Sequence, residues 1–471
     1  MPKPEKQVAV RDKRIPHDKV WRILRREGAR IHFIGAFGVS VRSLIKLTLS
    51  YGTQVSASDR ELDESVCGEL TSLGADIYIG HEPRAVEGAS LVVYSLAIHE
   101  DDPELHHARE LDIPAISRSE YLGVIMSDYA SRIGVSGTHG KSTVTAMLDA
   151  IFAEAAKDPT TLSGSLLPIG DTMRHGGKDV MIYEACEYKD SFLRFSPTTA
   201  IALNLELDHT DYFKDISELC ESFRRAMSHA TVSAIINADD RNLSRIITQI
   251  KTKTVTFSKR AGSDYRYVIT GFLPSGYEFE VLKGDESISI FRISIPGSYN
   301  VTNAAAAVVC ALEYGIEVDK IKAALESFGG ISRRLEYLGD MKNRPVYYDY
   351  AHHPTAIAAV ISAVKMLTHE RITVIFKPHT YSRTKSLWDD FRRSLMLADH
   401  VILTDIYAAR EEAVEGVCSE RLAHEIGDSA VYCADTDVAM ALDNTSGAII
   451  IMGAGDMRYI KDTIVEKIRN I

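Results

Sequence analysis

Gly137-Thr138-His139-Gly140-Lys141-Ser142-Thr143 decides the reading of this chain. It follows the expected strand around Ile133, Arg132-Ile133-Gly134-Val135, and precedes Val144, Met147, Leu148, Ile151 and Phe152. Those offsets put one apolar stripe on a helix packed against a sheet. A strand, a glycine-containing turn and a helix in that order aim backbone N–H groups at a helix N-terminus, where an anion is favoured. Lys141 supplies a cation for terminal phosphates, and the Ser142 hydroxyl is a ligand suited to magnesium. Val135 stands where the full Walker spacing has its first glycine. A glycine-rich helix cap is the plainer alternative. Strand, loop, Lys-Ser pair and helix in register favour phosphate binding.

Outward from this loop, three stretches repeat the strand-then-helix rhythm of a parallel α/β sheet. The first runs through Ile31–Gly35, Gln54–Ser58, Ala75–Ile79 and Leu91–Tyr94. The second runs through Arg132–Val135, Val180–Tyr183, Ala200–Leu203 and Ala234–Ile236. The third holds Val346–Tyr348, Thr373–Phe376, Val401–Leu403 and Ile449–Ile451. Between Thr252 and Ile295 the pattern becomes Thr, Tyr, Val and Ile alternation with glycine turns, which predicts an antiparallel sheet appended to the second domain. The expected fold is α/β in three domains. An N-terminal extension (1–29) precedes a Rossmann-like parallel sheet (30–126). A central phosphate-loop domain with the appended sheet follows (127–331), then a C-terminal Rossmann-like domain (332–471).

A chain of 471 residues is too long for one core, which agrees with three domains. The formal net charge of -11 argues against nucleic acid or an anionic membrane as partner. Cys67, Cys186, Cys220, Cys310, Cys418 and Cys433 are scattered without a CxxC pair, so a reducing, cytoplasmic location is expected. No apolar run approaches the ~20 residues that span a bilayer. Met1 to Arg14 is charged and lacks the apolar core of a signal peptide; it is expected to be a short mobile extension.

The strand at Val180–Tyr183 ends in Glu184, and Ala200–Leu203 is followed by Asn204, Glu206, Asp208 and His209. In a parallel sheet these strand ends share one edge with the phosphate loop. Glu184 and His209 are therefore candidate holders of magnesium ions that bridge nucleotide phosphates. Oxygen suits magnesium; imidazole is less usual. Acids at strand ends are often simply solvated, and the shared edge with Lys141 is what favours a site.

With those residues in place, the chain resembles the Mur ligase family along nearly its whole length. The resemblance rests on the phosphate loop, Glu184-Ala185-Cys186-Glu187-Tyr188, Asn204 through His209, Asn300 to Asn303, and Arg333-Arg334. It continues with Asp349-Tyr350-Ala351-His352-His353-Pro354-Thr355, Pro378 through Thr384, and Gly453-Ala454-Gly455-Asp456. The double-histidine and His379–Thr384 segments point to the alanine-adding branch. Several sister ligases carry a modified lysine soon after the Asp-His pair, whereas this chain has no lysine between Lys214 and Lys251.

The resemblance implies ATP and magnesium as cofactors, with UDP-N-acetylmuramate and L-alanine as substrates, in cell-wall precursor synthesis. It implies a monomer or homodimer. Gly137 to Thr143, Asn300, Asn303, Arg334 and Asp349 would bind ATP, with Asn303 at adenine, Asp349 at ribose and Arg334 by the phosphates. Ser142, Glu184 and His209 would hold the metal. Lys141, Glu184, His209, Arg334 and His352 would be catalytic, His352 as the base for the incoming amine. Gly35, Gly38, Asp59, His81 and Ser95 would seat the sugar nucleotide, and Tyr350, His352, His379 and Arg383 the amino acid. Asn300 and Asn303 as helix caps, and Arg383 as a solvated charge, are the plain alternatives.

Two departures stand out. Phe37 occupies a glycine position of the family's first loop, Gly35-Ala36-Phe37-Gly38, where a side chain hinders close approach and positive φ. Tyr299 replaces the family's usual histidine before Asn300. Rival readings are a sister ligase that joins a recycled peptide to the same sugar nucleotide, and a non-catalytic nucleotide-binding paralogue. An NAD oxidoreductase lacks its G-x-G-x-x-G and leaves the phosphate loop unexplained.

Overall fold

Strand β1 (Arg30–Ile34) opens a five-stranded sheet with β2 (Gln54–Asp59), β3 (Ala75–Ile79), β4 (Leu91–Tyr94) and β5 (Ala115–Ser117). In this computed structural model, which describes residues 15–469 except 211 and 410, the order is β3-β2-β1-β4-β5 and every pairing is parallel. The chain reverses direction across the sheet at β1, so a crevice opens beyond the ends of β1 and β4. Ile31, Phe33 and Val93 are fully buried, as expected where helices cover both faces. The helix His17–Leu24 ahead of β1 sinks Val20 and Leu24 into the same core. Met1 to Arg14, expected to be mobile, lies outside the described residues.

The central sheet has ten strands. These are β6 (Ser131–Ser136), β7 (Thr160–Leu162), β8 (Met173–Arg174), β9 (Val180–Glu184), β10 (Thr199–Ala202), β11 (Ser233–Asn237), β12 (Thr254–Ser258), β13 (Tyr265–Leu273), β14 (Gly276–Lys283) and β15 (Glu286–Ile293). Their order is β15-β14-β13-β12-β11-β10-β6-β9-β7-β8. The expected antiparallel region from Thr252 to Ile295 needs one correction. Strand β12 is parallel to β11, because the helix Arg241–Ile246 intervenes and returns the chain in the same direction. Antiparallel pairing holds for β13-β14-β15, which continue the same sheet and are joined by tight turns.

The third sheet holds β16 (Glu336–Met341), β17 (Arg344–Asp349), β18 (Ile372–Phe376), β19 (His400–Leu403), β20 (Ala430–Tyr432) and β21 (Ala448–Met452) in the order β16-β17-β21-β18-β19-β20. Strands β17 to β20 and β21 are parallel; β16 is an antiparallel edge strand. Its hairpin turns at Lys342-Asn343, both with positive φ, as a two-residue turn demands. All five residues of β18 and of β21 are buried. Among the described residues no helix is long and apolar enough to cross a membrane.

Candidate active site

In the central sheet β6 lies between β9 and β10, with Val135 beside Glu184 and Ser136 beside Ala202. The phosphate loop, Glu184 and the segment Asn204–His209 therefore share one sheet edge. Gly137 and Gly140 have φ of 144° and 85°. A Cβ on Gly140 would lie 2.4 Å from Asn303 Oδ1, so the loop must be glycine there both for φ and for space. His139 N–H donates to Asn204 Oδ1 (2.7 Å), Asn204 Nδ2 donates back to His139 O (3.0 Å), and Glu206 N–H donates to Thr138 Oγ1 (2.9 Å). The loop is thus fixed by its neighbour strand's extension.

A cavity of about 270 Å³ opens between this loop and the third sheet. His139, Gly140 and Thr143 form one wall, Asn300 and Asn303 another, and Arg334 and Asp349 come from the C-terminal segment. Seven of the eleven residues expected to bind nucleotide line it. Gly137, Thr138, Lys141 and Ser142 do not. Asn300 and Asn303 are both nearly buried. Asn300 Nδ2 donates to Pro296 O (2.6 Å), and its Oδ1 accepts from Asn303 Nδ2 (3.1 Å), so Asn300 ties the helix start and orients Asn303. Asp349 accepts from Leu335 N–H and Ala351 N–H, each at 2.7 Å. Burial raises its pKa although Arg334 opposes this.

Lys141 Nζ donates to Gly137 O (2.5 Å) and to both oxygens of Glu187 (3.0 and 3.2 Å). Burial works against its ammonium, but Glu187 and its neighbours outweigh that and hold the pKa at about 12. His209 Nε2 is 3.8 Å from Glu187 Oε1, and its ring lies 4.7 Å from that of Tyr188. Glu187 thus bridges the phosphate-loop cation and the expected metal-binding histidine. Glu184 Oε1 accepts from Gly164 N–H (2.5 Å) and Ser163 Oγ (3.2 Å); no hydrogen bond among the described residues engages Oε2. Ser142 is nearly buried at the loop's end. A hydroxyl and carboxylates on one edge are the oxygen donors a hard cation prefers, so the residues fit magnesium.

In the third domain, Tyr350, His352, His379 and Arg383 come together. His352 lies 5.2 Å from Tyr350 and 6.1 Å from His379, ring to ring. Arg383 is not a solvated charge: it is 8% exposed and donates through Nε and Nη2 to Asp208 Oδ1 at 3.0 and 2.8 Å, with Nη1 2.9 Å from His379 Nδ1. His352 Nδ1 is 2.8 Å from Tyr350 O, a carbonyl that can only accept, so Nδ1 carries the proton. Burial and the nearby Arg383 lower its pKa well below 6.5.

In the first domain, Asp59 ends β2, and Gly35, Gly38, His81 and Ser95 follow the ends of β1, β3 and β4 along the same edge. Phe37 does not take the positive φ that would exclude it. Its N–H donates to Asp59 Oδ2 (2.8 Å), and its ring packs partly buried against the domain core. The positive φ of this loop falls on Gly35 instead (86°). His81 Nδ1 lies 2.5 Å from Asp102 Oδ2.

Sequence reasoning quoted Glu187, Glu206, Asp208 and His353 within its segments but gave them no role in the site. Each lies within a segment already singled out, but its partner is remote in sequence. Tyr299 lines the cavity and packs against the C-terminal core, so a larger ring fills the histidine position.

Family models match in three consecutive pieces: "Mur ligase family, catalytic domain" over residues 30–130, "Mur ligase middle domain" over 135–311, and "Mur ligase, glutamate ligase domain" over 333–455. A UDP-N-acetylmuramate–L-alanine ligase of Caldicellulosiruptor bescii is 38% identical over 446 residues, covering 92% of this chain and 98% of its own. The ligase of the same name from Clostridium novyi is 37% identical over 453 residues, covering 94% and 98%. The crystal structure of a UDP-N-acetylmuramate-alanine ligase from Thermotoga maritima matches with a TM-score of 0.79 at 24% identity, covering 94% of this chain and 99% of its own.

Proposed function

The chain belongs to the Mur ligase family, and from that premise we propose that it joins L-alanine to the lactyl carboxylate of UDP-N-acetylmuramate at the expense of ATP, in peptidoglycan precursor synthesis. The observation that carries this reading is the interdomain cavity, where Asn303, Arg334 and Asp349 face the phosphate loop. It works in the cytoplasm, where its six cysteines stay unpaired.

A carboxylate is a poor acyl donor, because its leaving group is oxide. Transfer of the γ-phosphoryl group makes an acyl phosphate with phosphate as leaving group. That transfer needs charge neutralisation and alignment more than covalent help. Lys141 and Arg334 supply cations from opposite sides of the domain boundary. Ser142, Glu184 and His209 would hold magnesium, which when bound screens the phosphate charge. With Nδ1 protonated and a lowered pKa, His352 offers Nε2 as an unprotonated base for the alanine ammonium at neutral pH. Arg383 and Tyr350 orient the amino acid beside it. The domains divide near residues 126 and 331, so closure of the third over the second completes the site.

Phosphate release with UDP-N-acetylmuramate and each of alanine, glycine, serine and a free tripeptide with an N-terminal alanine tests the assignment. Alanine should give the highest kcat/KM, and little hydrolysis should occur with ATP alone. With carboxylate-¹⁸O sugar nucleotide, one label should appear in phosphate. Preference for the tripeptide, or unlabelled phosphate beside a genuine amide product, would overturn it.

A further inference from the structure

Three side chains from separate segments meet where the phosphate loop faces the third domain. They are His139 of the loop, Glu206 after β10, and His353 at the N-cap of the helix Pro354–Thr368. His139 Nε2 lies 3.3 Å from Glu206 Oε2, and His353 Nδ1 lies 3.3 Å from the same oxygen. The three atoms fall within 4.8 Å of one another. His353 is only 6% exposed, yet neither ring nitrogen has a hydrogen-bond partner among the described residues. Leaving a buried polar atom unpaired costs free energy, and such atoms normally find a partner.

The spacing indicates the missing partner. Charge-assisted N–H···O contacts are about 2.7–2.9 Å, so 3.3 Å is long for an imidazole–carboxylate pair. Ligands of a tetrahedral cation at about 2.0–2.1 Å stand about 3.3–3.4 Å apart. Two edges of such a site are thus already set. Two imidazoles and one carboxylate suit a borderline transition cation, whereas magnesium prefers oxygen throughout. His139 and Glu206 are locked together by the Thr138 and Asn204 hydrogen bonds, while His353 arrives with the third domain. His139 and Glu206 also line the nucleotide cavity, the side from which a fourth ligand would come.

We propose that His139, Glu206 and His353 bind a zinc-class divalent cation that clamps the third domain onto the phosphate loop, separate from magnesium at Glu184. Cobalt(II) titrated into the full-length, magnesium-free protein tests this by its ligand-field absorption. One cobalt per chain should give a tetrahedral spectrum that zinc abolishes and excess magnesium leaves intact. Glu206→Gln and His353→Asn should each weaken binding by at least roughly 10-fold, by analogy with losses around other metal sites. Glu184→Gln should leave the spectrum unchanged. Zinc should raise the thermal midpoint of the wild type but not of His353→Asn. X-ray absorption of the zinc-loaded wild type, which needs no variant, should show two imidazoles at the metal. No tetrahedral spectrum, displacement by magnesium, loss in Glu184→Gln instead, or fewer than two imidazoles would each overturn the proposal.

Discussion

Replacing Asp208 with Asn removes the negative charge that pairs with Arg383 across the domain boundary. Two donors of the guanidinium converge on Asp208 Oδ1 at 3.0 and 2.8 Å, with the residues 7% and 8% exposed. Burial pushes the Asp208 carboxyl up, but Arg383, His209 and His352 outweigh it and hold the pKa far below 3.8. Truncating one partner of a buried, hydrogen-bonded charge pair costs about 2–5 kcal/mol, mostly through the charge left behind. Opening the domains rehydrates Arg383, so the penalty falls on closure. At about 1.4 kcal/mol per tenfold change, the ratio of closed to open protein should fall at least about 30-fold. The assays are kcat/KM for L-alanine and small-angle scattering with nucleotide bound. Asp208→Asn should lose activity and scatter as a more extended particle. The double variant Asp208→Asn/Arg383→Gln, which removes the orphaned charge, should recover compaction but not alanine affinity. Because the folded pKa is depressed, the pair's contribution is complete above 3.8 and is lost only as pH falls through the depressed value. The deficit should therefore not vary with pH in the neutral range. A single variant as compact and as active as the wild type within about 3-fold (under 1 kcal/mol) would refute the reasoning.

Lys141→Ala should keep the fold and lose at least ~10²-fold in kcat, as for other electrostatic catalytic groups; near-normal turnover would remove Lys141 from the chemistry. Gly140→Ala forces a Cβ against Asn303 and a side chain into φ of 85°, about 1–2 kcal/mol of strain; the KM for ATP should rise roughly 5- to 30-fold and that for alanine should not. His352, His353 and His379 are all shifted below 6.5 by burial first and by cationic neighbours second, His379 to about 4. The unfolded chain therefore binds their protons first, and third-domain stability should be flat above pH 6.5. Below it, stability should decline by up to about 1.4 kcal/mol per pH unit for each histidine. A urea midpoint unchanged on passing below pH 6.5 would contradict this.

Much of the site was legible because its residues sit at strand ends, which local patterning locates well. The apolar run at Val180–Tyr183 ends at Glu184, and the run at Ala200–Leu203 ends beside Asn204, so a parallel sheet must bring both to the phosphate loop. Where local pattern was ambiguous, reading failed in a physical way. Alternation in Thr254–Ser258 does not distinguish a parallel edge from an antiparallel one; the intervening helix does. Phe37 looked like a hindrance because a side chain at a glycine position opposes positive φ, which the backbone places on Gly35 instead.

The sequence by itself determined the three α/β units, the phosphate loop with its glycines, and the family, because periodicity and short-range spacing act within a few residues. Only the tertiary structure decided what those residues do to each other. Lys141 rests on Glu187, Arg383 pairs with Asp208, and His139 meets His353 over Glu206. These partners lie 46, 175 and up to 214 residues apart in sequence (353 − 139). Charge pairing and burial depend on distance in space and on excluded water, and neither is fixed until the sheets pack and the loops of the third meet those of the second.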